Sequence, residues 1–86
     1  MKKSTVISDF EQYILVRFPR VGWRVDYDPA QDPDSEVTIT GTVFLGKRKI
    51  VSSTITRLRT LNDPRAQASI AALDMGNTLS RWVLGK

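Results

Sequence analysis

Apolar residues near the start of the chain recur three and four positions apart. Val6, Ile7, Phe10, Tyr13, Ile14 and Phe18 fall on one side of a helical projection, and Asp9, Glu11, Gln12 and Arg17 fall mostly on the other. This spacing predicts a helix over about residues 5–18, with Ser4 as N-cap and Pro19 as the stop. The period then changes to two. Val21, Trp23, Val25 and Tyr27 alternate with Gly22, Arg24, Asp26 and Asp28, which predicts a half-buried strand. Pro29 and Pro33, set among Asp28, Asp32, Asp34 and Ser35, break the chain into a loop.

A longer strand follows. Val37, Ile39, Gly41, Val43 and Leu45 alternate with Thr38, Thr40 and Thr42. Gly46 to Lys49 reads as a tight connection. The β-branched run Ile50 to Leu58 then returns as a third strand, with Val51, Ser53 and Ile55 on one face. The stretch NDPRAQAS starts a second helix: Asp63 is its N-cap, and Pro64 takes the first helical position, where a missing N–H costs nothing. Ala68, Ala72, Met75, Leu79 and Trp82 form its apolar stripe, widened by Ile70, Leu73 and Val83. Gly76-Asn77 is a weak point in it, and Gly85 is a natural C-terminal cap.

The predicted fold is α+β, in the order α-β-β-β-α: a three-stranded antiparallel sheet with two helices packed on one face. A chain of 86 residues suits a single domain over residues 1–86. Trp23 and Trp82 fall in phase with apolar neighbours and are expected in the core. The other sheet face is expected to present Thr38, Thr40, Thr42, Thr54 and Thr56, with Phe44 and Arg24.

Composition narrows the chemistry. There is no cysteine and no histidine, which removes disulfides, thiolate metal sites and the commonest general base. No Gly-rich phosphate loop occurs. Lys2 and Lys3 open the chain as a signal peptide would, but Asp9, Glu11 and Gln12 interrupt its apolar core. No apolar run is long enough for a membrane span. A cytoplasmic protein without enzymatic activity, cofactor or metal is expected.

Charge is segregated along the chain. Asp26, Asp28, Asp32, Asp34 and Glu36 lie in a stretch without cations, and Lys47, Arg48, Lys49, Arg57 and Arg59 lie in a stretch without anions. The acidic stretch does not fit a calcium loop, because two prolines interrupt it and the required glycine is missing. The basic stretch suits contact with a DNA or RNA backbone, or a solvated hairpin that discourages edge-to-edge aggregation. The net charge of +4 is compatible with either.

The element order is similar to that of double-stranded-RNA-binding domains, and the resemblance ends at order. That family grips phosphates with a lysine-rich start to its last helix, where this chain has DPRAQAS with Arg65 as the only cation. The family's first strand connection enters a minor groove, whereas here that connection is acidic.

The leading expectation is a small binding module, of adaptor or inhibitor type, that docks on a protein partner through Phe44, Arg24, Asp28, Asp32 and Asp34. Such a module suits phages and mobile elements. The alternatives are nucleic-acid binding through Lys47, Arg48, Lys49, Arg57 and Arg59, and a subunit of a larger assembly or homo-oligomer.

Overall fold

A computed structural model of the protein describes residues 5–30 and 32–84, the side chain of Leu84 excepted. Its elements run α1 (Thr5–Arg17), β1 (Gly22–Tyr27), β2 (Glu36–Leu45), β3 (Arg48–Arg57), a 3₁₀ turn (Leu58–Asn62) and α2 (Pro64–Leu84). The strands form one antiparallel sheet in the order β1-β2-β3, so β1 and β3 are its edges. No described helix is long and apolar enough to cross a membrane. The caps expected at Ser4 and Gly85, and the charges of Lys2 and Lys3, lie outside the described residues.

Both helices cover the same face of this sheet. Ile7, Phe10 and Ile14 of α1 meet Val25, Val37 and Ile39 of the sheet and Ala68 and Ala71 of α2 in one buried cluster. The alanines let α2 lie close to the strands. Asp63 caps α2 as expected: its carboxylate accepts from the Ala66 N–H at 3.2 Å. The helix continues through Gly76 without interruption. The 3₁₀ turn, absent from the sequence reading, carries Leu58 and Leu61 into the core.

Gly41 sits at the centre of the covered face. A Cβ there would come within 2.8 Å of the Trp23 ring, 3.0 Å of Met75 Cε and 3.1 Å of Val21 Cγ1. Trp23 is held against this site by Phe18. Its indole N–H donates to the Phe18 carbonyl at 3.1 Å, and the two rings pack edge to face at 6.4 Å.

Several expectations are corrected. Ile50, Ser52 and Thr54 are the buried residues of β3, while Val51, Ser53 and Ile55 face away from the helices. Thr54 and Thr56 therefore leave the open face, where they were expected. The cause is register: Val43 pairs with Ile50, Gly41 with Ser52 and Ile39 with Thr54, and directly paired residues share a face. The inward threonine hydroxyls are satisfied by α2. Thr54 donates to the Asp74 carboxylate at 2.7 Å, and Thr56 donates to the buried Gln67 side chain at 3.1 Å. Ile70, Leu73 and Val83, expected to widen the apolar stripe of α2, are exposed, as is Leu45 of β2. Trp82 is 43% exposed and is not a core residue, because α2 carries it beyond the sheet to the hairpin tip.

Candidate functional site

The register sends nine of the ten site residues expected from sequence to opposite ends of the sheet and leaves Arg24, which pairs with Thr40, near its middle. The β2–β3 connection is a two-residue turn, Gly46-Lys47, in which Gly46 has φ +63°, a conformation glycine adopts without strain. Lys47, Arg48 and Lys49 are exposed at this tip. Arg57 and Arg59 lie at the far end of β3, about 30 Å away at the usual rise per residue. The basic stretch is therefore not one patch.

The far pair is already engaged. Arg59 is ion-paired with the carboxylate of Asp34, and Arg57 donates to the Asp34 carbonyl at 2.6 Å. The backbone reinforces the junction: Leu58 N–H donates to Ser35 O and Arg59 N–H to Pro33 O, both at 2.9 Å. The acidic loop is thereby fastened to the end of β3. Asp28 turns back on its own loop, accepting from the Ala30 N–H at 2.8 Å, and Asp32 is exposed. Among the described residues, no three acidic groups come together in a way that would hold a metal ion.

At the tip the cations meet aromatic and apolar side chains. The Arg48 guanidinium lies 5.2 Å from the centre of the Trp82 ring, in cation–π range. Leu45, Ile50 and Val83 complete a groove of about 440 Å³ beside this pair. Lys49 points to the other side of the sheet, directly across from Phe44.

That other side is the open face. Phe44 is 67% exposed, Ile55 66% and Val51 46%. Val51 pairs with Thr42 and so lies diagonally beside Phe44; Ile55 pairs with Thr38, and between them Thr40 and Ser53 bring their hydroxyls to 3.4 Å. Arg24 and Asp26 of β1 close the face on its third side, ion-paired at 2.9 Å. Phe44 and Arg24 thus share one face. Asp28, Asp32 and Asp34 do not join them, because they belong to the far end of the sheet.

Sequence reading singled out Phe44 but placed Val51 and Ile55 on the covered side. The signal that would have corrected this is the even length of the β2–β3 connection, which puts Ile50 on the same face as Leu45. Comparison of the chain with protein-family models, with curated proteins and with solved structures finds no match in any of the three.

Proposed function

We propose that this protein is a non-enzymatic binding module that docks on a protein partner through the sheet face turned away from its helices. One observation carries the reading: Phe44, Val51 and Ile55 expose their side chains on that face, on adjacent strands. Apolar side chains gathered on one solvent-facing surface favour a macromolecular contact, and an aromatic anchor amid small hydroxyl residues suits a protein interface.

Charge supports a partner with an acidic rim. Lys49 stands on the same face beside Phe44, and Lys47 and Arg48 project at the adjoining tip. Complementary charge of this kind orients docking more than it adds affinity. The nucleic-acid reading draws less support, because Arg57 and Arg59 contact Asp34, which leaves three of the five cations of the basic stretch, those at the tip, without an acidic neighbour of this kind among the described residues.

The test is a triple substitution, Phe44→Ser with Val51→Thr and Ile55→Thr, on exposed positions that the core does not need. The expected result is an unchanged circular dichroism spectrum and loss of partner capture. Labelled DNA and RNA should show no binding at low salt. Binding that falls steeply with salt and disappears in a Lys47→Glu, Arg48→Glu, Lys49→Glu variant would overturn the reading in favour of nucleic acid.

A further inference from the structure

Beside the open face lies the outer edge of β3. Which of its backbone groups point outward follows from a single bond. Leu58 N–H donates to Ser35 O at 2.9 Å, so Ser35 and Leu58, which continue the β2–β3 register, are a hydrogen-bonded pair. Such pairs alternate along an antiparallel ladder. The even-numbered residues from Arg48 to Thr56 therefore bond to β2, and Lys49, Val51, Ser53, Ile55 and Arg57 turn their N–H and C=O groups outward. Among the described residues, only the Arg57 carbonyl has a partner there, the Thr60 hydroxyl at 2.6 Å.

The middle of this edge lacks the devices that blunt an exposed strand, and its charges lie only at the two ends. The edge is ten residues long, carries no proline and no bulge, and has no charge between Ile50 and Thr56. A cleft of about 420 Å³ runs along it, floored by Val51, Ser52 and Ser53 and walled by Asp74, Asn77 and Arg81 of α2. Ile70, half exposed, lies on the same side of α2 between Gln67 and Asp74, the two residues that reach β3. A strand laid in the cleft would have backbone partners along β3, Val51 and Ile55 on its outer side, and Ile70 and Arg81 on its helix side.

We propose that the β3 edge receives an extended segment of the partner protein as a fourth, antiparallel strand. The segment would be aliphatic opposite Val51 and Ile55 and acidic opposite Lys49. This inference rests on the protein-docking reading and names the chemistry of its partner. Charge favours this occupant over a second copy of the chain in the register of fullest overlap: two β3 strands paired about Ser53 would place Lys49 directly against Arg57, a like-charge contact. An acidic residue in that position meets Lys49 on the open face.

The probe is a capped seven-residue peptide with valines opposite Val51 and Ile55 and a glutamate opposite Lys49, followed by amide hydrogen exchange and nitrogen-15 NMR of the full chain. The expected result is saturable protection of the Val51, Ser53 and Ile55 amides, while their even-numbered neighbours are already protected without peptide. Lys49→Glu should weaken binding roughly three- to tenfold, with recovery on a peptide carrying lysine in place of glutamate. Ser53→Pro removes an outward N–H that an edge strand can spare, and should abolish binding. Methylating the peptide nitrogens that face β3 should abolish it without altering the protein.

Equal binding of the methylated peptide would overturn the proposal, because side chains alone would then account for it. Protection of the odd-numbered amides that rises with protein concentration alone would overturn it in favour of a second copy. Unprotected odd-numbered amides alongside capture that still depends on Phe44 would remove the edge site and leave open-face docking standing. Protected amides without Phe44-dependent capture would support the edge site and remove the other.

Discussion

Arg59 is ion-paired with the carboxylate of Asp34, twenty-five positions earlier, and Arg57 donates to the carbonyl of the same aspartate. The chain's acidic and basic stretches thus meet at one end of the sheet. Three cations, Lys47, Arg48 and Lys49, are left at the other end. Because both members of the Arg59–Asp34 pair are more than half exposed, solvent screens the contact. Asp34→Asn should lower stability by no more than about 1 kcal/mol in urea denaturation. A larger loss would mean that the acidic loop holds β3 in register.

The contact between Thr54 and Asp74 should matter more. The Thr54 hydroxyl is nearly buried and relies on this carboxylate. Asp74→Ala should cost about 1–3 kcal/mol, the usual penalty for an orphaned buried polar group. Asp74→Asn keeps an acceptor and should recover much of the loss. Equal losses for the two variants would show that something other than this hydrogen bond is being measured.

These two contacts also show how far the sequence could be read. Element order, both helices, all three strands and the Asp63 cap were legible, because each rests on local periodicity or a local cap. The faces of β3 were not. Its run IVSSTIT has apolar residues at both parities, so the pattern does not choose a side. The choice comes from pairing with β2 and from Asp74 and Gln67, which satisfy the inward threonines from a helix far along the chain. Phe44 was placed correctly because β2 alternates cleanly. Its neighbours Val51 and Ile55 were misplaced with β3.

Two glycines should behave in opposite ways. At Gly41 the space is taken by Trp23, Val21 and Met75, so Gly41→Val should destabilise the fold by about 1–3 kcal/mol, as overpacking does. At Gly76 nothing lies within 4 Å of a new Cβ and the backbone is helical. Gly76→Ala should stabilise by about 0.5–1 kcal/mol. Thermal melts of the two variants check both signs. Stabilisation at position 41, or destabilisation at position 76, would contradict the packing described here.

The two tryptophans should separate by fluorescence quenching. Trp23 is half-buried with its N–H bonded to the Phe18 carbonyl, whereas Trp82 is exposed beneath Arg48. Acrylamide should quench two populations, and Trp82→Phe should remove the accessible one. Arg48→Ala should increase quenching of Trp82 while changing stability by less than about 1 kcal/mol, the scale of an exposed cation–π contact.

The open sheet face is the central claim, and position-resolved photo-crosslinking tests it most directly. A benzophenone amino acid would replace Phe44, Ile55 or, as a control, Val16, which is 80% exposed on α1. The expected result is one discrete protein adduct from positions 44 and 55 and none from position 16. Equal adducts from all three positions, or adducts to nucleic acid from positions 44 and 55, would contradict the account.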